Sequence, residues 1–190
     1  MIPDSIKALL PYFAAGPVVK GFGRGSKQLG CPTANFPDNV TDHLPPGFQQ
    51  GVYCGWAQID HGHIYKMVMS IGTNPHFNNV KRTMETHILH DFNGDFYGSL
   101  LKVAITGYIR DMKSFKSLDD LISAIQEDIR IAKDTLDSPE HKSLREHSFF
   151  KGPDNNDLFS TINGDNMQPS LPTDSSLNST NVSNAVKSSL

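Results

Sequence analysis

Between Val18 and Arg110 the apolar residues fall in short runs, some alternating with polar ones, and turn residues break each run. Gly51 to Ile59 alternates and stops at Asp60-His61-Gly62-His63, a hairpin signal, and Tyr65 to Ile71 returns across that turn. Met84–Phe92 and Leu100–Tyr108 are two further strand candidates, separated by Asn93-Gly94-Asp95. Strands at this spacing without intervening helices predict a mainly β fold, an antiparallel sheet closed into a small barrel. The period then changes. Leu118, Leu121, Ile122, Ile125, Ile129, Ala132 and Leu136 recur at helical spacing, which predicts one C-terminal α-helix packed on the barrel. Ser117 caps it with Asp120 at the third helical position, and Ser138-Pro139 stops it. Glu140 to Glu146 reads as a further short helical piece.

Both ends read differently. Residues 1–9 precede Leu10-Pro11-Tyr12-Phe13 and read as a short, loosely held leader. After Phe149-Phe150 the composition turns to Asn, Ser, Asp, Thr and Pro, which predicts a disordered polar tail over 152–190. One domain, 10–151, lies between them. The net charge is −3. Asp154, Asp157, Asp165 and Asp174 against Lys187 account for it, leaving the domain neutral. A neutral domain lacks the basic footprint of a nucleic-acid binder, so any affinity for anions comes from local placement.

Cys31 and Cys54 are too few for a disulfide framework and read as reduced thiols. No signal-peptide layout and no run of ~18 apolar residues is present, so neither secretion nor membrane insertion is expected. A cytoplasmic monomer is the default reading. The sequons at Asn39, Asn178 and Asn181 are then idle.

The candidate chemistry begins at Gly21-Phe-Gly-Arg-Gly-Ser-Lys-Gln-Leu-Gly30, followed by Cys31-Pro-Thr-Ala-Asn35. Glycines with Arg24 and Lys27 between them make a loop whose backbone can approach an anion. A P-loop is excluded because Cys31-Pro32 replaces the Lys-Ser/Thr pair. A dinucleotide fingerprint fails because position 26 is Ser and Pro32 stands where its helix would run. A protein-kinase loop lacks its partner motifs. By itself the loop also reads as a glycine-rich surface hairpin without a ligand. Thr33 and Asn35 offer neutral, hard oxygens of the kind Mg²⁺ accepts, on one face if the segment is extended. Local turn stabilisation is the other use of such residues.

The run Gly21 to Pro37 closely resembles the phosphate-binding segment of eukaryotic-type, monofunctional riboflavin kinases. Gly51-Val-Tyr53-x-Gly55-Trp56, Met67 to Pro75, Met84-Glu85-Thr-His87-Ile-Leu-His90 and Asp95-Phe-Tyr97-Gly98 continue the resemblance in order, over about residues 10 to 150. It implies a six-stranded Greek-key barrel that phosphorylates riboflavin with ATP to give FMN and ADP. By the same resemblance Gly21, Lys27, Thr33 and Asn35 hold ATP, and Thr33 and Asn35 a divalent ion such as Mg²⁺, Zn²⁺ or Mn²⁺. Glu85 is implied as the general base, and Ile88, His90, Tyr97 and Arg110 as the flavin side. Transfer to a primary alcohol needs an acceptor for the hydroxyl proton, which suits a positioned carboxylate.

Other readings compete at single positions. Glu85, His87 and His90 could ligate a transition metal, but on a strand His90 points away from the other two. Glu85 alone reads as an outward strand glutamate, and Arg110 as a surface arginine. Thr73 replaces the aromatic residue common in the family, and Arg110-Asp-Met112 replaces Arg-Pro-Glu. Nothing before Leu10 matches a nucleotidyltransferase and no H-x-G-H element occurs, so FAD synthesis is not expected. The rival from another class is a barrel that binds flavin or nucleotide without turnover.

Overall fold

The computed structural model describes residues 4–21, 30–74 and 81–152. Lys27, the remaining loop glycines, Pro75 and the polar tail beyond Gly152 lie outside these residues. Six strands form one antiparallel sheet: β1 Tyr12–Pro17, β2 Ala34–Asn35, β3 Gly51–Ile59, β4 Ile64–Asn74, β5 Lys81–Ile88 and β6 Leu100–Asp111. Their order across the sheet is β1-β6-β3-β4-β5-β2. Among the described residues five α-helical pieces accompany them, α1 Asp4–Lys7, α2 Asp38–Thr41, α3 Leu118–Leu136, α4 Pro139–Ser143 and α5 Ser148–Lys151, with a 3-10 turn at Leu144–Glu146.

The ladder is an open half-barrel rather than the closed barrel expected. Between its edge strands β1 and β2 runs one antiparallel bridge, in which Val19 N–H donates to the Asn35 carbonyl at 2.9 Å. Pro17 ends β1, and beyond it Val18 N–H bonds back to the Ser99 carbonyl, so among the described residues the two edges meet through Val19.

Each face of the sheet carries its own apolar cluster. The inner face holds Ala14, Tyr53, Met67, Met69, Ile71, Met84, Ile88, Leu101, Val103 and Ile105. Val52, Cys54, Trp56, Val68 and Ala104 point outward and pack with Ala132 and Leu136 of α3 and Phe150 of α5. Covering both faces is why β3 is buried at every residue but its last. Gly55 lets β3 and β6 approach closely, since a Cβ there would stand 1.9 Å from the Ala104 carbonyl oxygen. The β3–β6 register slips beside it and again at Val52/Tyr53, and such bulges bend a sheet. Lys102 is wholly buried on the outer side of β6 and donates to the Gly152 carbonyl at 3.1 Å, anchoring the chain after α5.

α3 forms as its pattern predicts, with the Ser117 hydroxyl accepting from Asp120 N–H at 3.1 Å. Leu118, counted in its apolar stripe, is exposed. Three further segments depart from expectation. The leader contains the turn α1, whose Ile6 is fully buried in the inner core. β1 carries Gly16-Pro17 and little alternation, which an edge strand tolerates. β5 stops at Ile88 rather than Phe92. Leu89 N–H still bonds to the Lys66 carbonyl, but His90 N–H turns back to the Ile88 carbonyl at 2.8 Å.

Candidate active site

One row of residues crosses the sheet. Arg110 opposes Val52, Val52 opposes Ser70, Ser70 opposes Glu85, and Glu85 opposes Asn35. Directly opposed residues share a face, so all five point outward, away from the inner core. α3 lies over β3, β4 and β6. On β5 the alternation is clean: Met84, Thr86 and Ile88 are buried, while Glu85 and His87 are half-buried on the outer face.

Asn35 is 7% exposed, and Gly21 is the reason. A Cβ on Gly21 would stand 2.3 Å from Asn35 Nδ2 and 3.1 Å from its Oδ1, so the carboxamide fills the space that the glycine leaves. Asn35 Nδ2 also reaches the Thr33 carbonyl, at a long 3.5 Å. Thr33 and Asn35 flank the inward Ala34, which places them together on the outer side of the chain. A hydroxyl and an amide oxygen beside a carboxylate suit a hard divalent cation that keeps water and phosphate in its other positions. The residues present therefore fit the ion that the sequence implied.

The ladder continues as a side-chain contact. Register places His87 opposite Thr33, and His87 Nδ1 lies 2.9 Å from the Pro32 carbonyl oxygen. A carbonyl only accepts, so the proton sits on Nδ1. Burial raises the Cys31 thiol above its usual range, keeping it protonated at neutral pH.

The residues expected on the flavin side do not come together. His90 stacks on Tyr65 with centroids 4.1 Å apart and meets Phe92 edge-on at 4.9 Å, and Phe92 packs on Phe96. Tyr97 follows at 57% exposure. The rings of Tyr65, His90, Phe92 and Phe96 form an aromatic shelf past the end of β5, with Tyr97 next along the chain, and Ile88 packs with Tyr65, Phe92 and Phe96 in the inner core. Arg110 is at the other end of the row. Its guanidinium makes two 2.7 Å bonds to the carboxylate of Asp128 on α3, a residue 3% exposed, and lies 5.7 Å from the Phe115 ring centre. It is neither a loose flap cation nor an ordinary surface arginine. Along the surface of the curved sheet Arg110 and Glu85 are three strand spacings apart, ~14 Å, and that row and Lys66 beside the shelf are four residues apart, ~13 Å. Among the described residues no three His, Cys, Asp or Glu side chains cluster as metal ligands, and the turn at His90 separates it from Glu85 and His87.

Three relationships arise only in the fold: Gly21 against Asn35, His87 against Pro32, and Arg110 against Asp128. Only the third left a signal, an acidic residue on a helix face that is otherwise apolar.

A family model described as flavokinase, riboflavin kinase, matches residues 8–136. The chain is 58% identical over 142 residues to the riboflavin kinases of Mus musculus and Homo sapiens, covering 75% of this chain and 92% of each of theirs. Among solved structures, riboflavin kinase from Trypanosoma brucei superposes with a TM-score of 0.61 at 32% identity, covering 75% of this chain and 90% of that one.

Proposed function

The chain belongs to the riboflavin kinase family, and on that premise we propose that it moves the γ-phosphoryl group of ATP to the 5′-hydroxyl of riboflavin. The O–H bond of the alcohol and the bond from the γ-phosphorus to the bridging oxygen break, a new P–O bond forms, and FMN and ADP leave. Glu85 accepts the hydroxyl proton. The observation that carries this reading is the placement of Glu85 directly opposite Asn35 on the outer face.

Phosphoryl transfer asks a protein mainly for positioning and for charge stabilisation. Thr33 and Asn35 hold the divalent ion, which when bound neutralises charge on the phosphates. Gly21 leaves the Asn35 amide its place, and Lys27 brings a positive charge to the phosphates. The bridge between Val19 and Asn35 supports closure of the half-barrel into a full barrel around this edge.

The resemblance assigns Ile88, His90, Tyr97 and Arg110 to riboflavin. Their separation supports a second reading, in which the aromatic shelf and the Arg110 corner each take a different ring, one the isoalloxazine and the other the adenine. Cytoplasmic action as a monomer remains part of the proposal; among the described residues no helix is long and apolar enough to cross a membrane. Purified protein with riboflavin, ATP and Mg²⁺ tests the activity. FMN and ADP in equal amounts are expected, whereas binding of flavin or nucleotide without FMN would support the non-catalytic barrel instead.

A further inference from the structure

We infer that His87 is a positioning residue for the metal-and-phosphate segment, acting through the Pro32 carbonyl. The inference rests on the kinase reading above for its function and on local geometry for its form. β2 pairs with β5 through Ala34 and Asn35 only. One residue earlier the ladder stops, and Pro32 has no N–H with which to resume it. The His87 side chain takes over there: its Nδ1–H donates to the Pro32 carbonyl at 2.9 Å.

That bond holds the chain on the N-terminal side of Thr33, while the Ala34–Thr86 and Asn35–Glu85 pairs hold it on the other. Thr33 is thereby fixed between two anchors on β5, the strand that also carries Glu85. Without the first anchor, the only described ties on that side are the long contact from Asn35 Nδ2 to the Thr33 carbonyl and the contacts of Thr33 itself. His87 touches neither phosphate nor alcohol in this role. It fixes where the Thr33 hydroxyl stands relative to Asn35.

The test uses the geometry of amide side chains. Asn carries its amide nitrogen one atom beyond Cγ, where histidine carries Nδ1, whereas Gln carries its nitrogen nearer the place of Nε2. Full-length wild type, His87→Ala, His87→Gln and His87→Asn are compared by calorimetric titration with MgADP and by FMN-forming kinetics. Loss of one hydrogen bond predicts a rise of about three- to tenfold in the MgADP Kd and the MgATP KM for the Ala and Gln variants. The riboflavin KM and the thermal midpoint stay near wild type, and His87→Asn restores nucleotide affinity to within about twofold. The Gln variant keeps bulk on the sheet and serves where Ala fails to fold. An Asn variant no better than Ala, unchanged nucleotide affinity in Ala and Gln, or an equal rise in both substrate KM values overturns the inference. A wild type that binds MgADP with this pattern of variants but forms no FMN overturns the kinase reading and supports the role of His87.

Discussion

Asn35 stands directly across the β2–β5 ladder from Glu85, so the amide assigned to the metal and the carboxylate assigned to the proton are nearest cross-strand neighbours. Their Cβ atoms are then ~5 Å apart on one face. A two-residue strand supplies half of this pairing, and its shortness makes the local supports of Asn35 matter. Gly21 is one of them.

Gly21→Val puts side-chain atoms where the Asn35 carboxamide now lies, 2.3 Å from a Cβ at that position. The amide must move, and displacement of a positioning group by about 1 Å lowers activity by up to about 10²-fold. The fall should appear in kcat/KM for MgATP, read from initial rates, with the thermal midpoint little changed because Gly21 lies at the sheet edge.

Thr33→Ala and Asn35→Ala each remove one oxygen donor. With ATP saturating, both raise the Mg²⁺ concentration needed for half-maximal FMN formation, and the double variant raises it further. Titration of activity against Mg²⁺ checks this. A requirement unchanged in both single variants contradicts the assignment of these oxygens to the ion.

Much of this was legible in the sequence, and what was not has physical causes. β3 and α3 are found within one residue of their pattern, because hairpin and capping chemistry are local. β1 was hidden by Gly16-Pro17, which only an edge position accommodates. β5 is shorter than its pattern predicts, since nothing in Leu89-His90 announces the turn that stacks His90 on Tyr65. The sequence singles out Thr33 and Asn35 as oxygen donors and the resemblance singles out Glu85, but their adjacency depends on long-range register. Sequence order does not reveal that Arg110 is drawn to Asp128 at the far end of the row.

That separation gives a substrate-level prediction. Tyr97→Ala and Arg110→Lys raise the KM of different substrates, one of riboflavin and the other of MgATP. Lysine keeps a charge beside Asp128 but loses the two-pronged guanidinium contact, so the comparison is made without leaving Asp128 unpaired. Two-substrate kinetics provide the check. Both variants acting on the same substrate contradicts the two-platform reading.

Cys54 lies between α3 and the sheet, and burial pushes its thiol up to about 12. Tyr53, buried on the other face, is likewise pushed up to about 12, by burial first and then by the charge of Asp111. Both are acids whose folded values exceed the ordinary 9.0 and 10.0. The unfolded chain therefore releases these protons first, and stability falls as pH rises from about 9 toward 12. Urea titrations across that range should show the decline. At pH 8 a thiol reagent should modify Cys31 well before Cys54, because the buried thiol is almost wholly protonated.

The most direct measurement is the rate of FMN formation by Glu85→Gln with saturating riboflavin and MgATP. Glutamine keeps the size and polarity of Glu85 opposite Asn35 but cannot accept the hydroxyl proton at neutral pH. General-base catalysis is worth 10²–10⁴-fold, so the predicted result is a kcat lower by about 10²-fold or more, with both KM values nearly unchanged. A kcat within about threefold of wild type, below the range that a general base supplies, contradicts the assignment of Glu85 as the base.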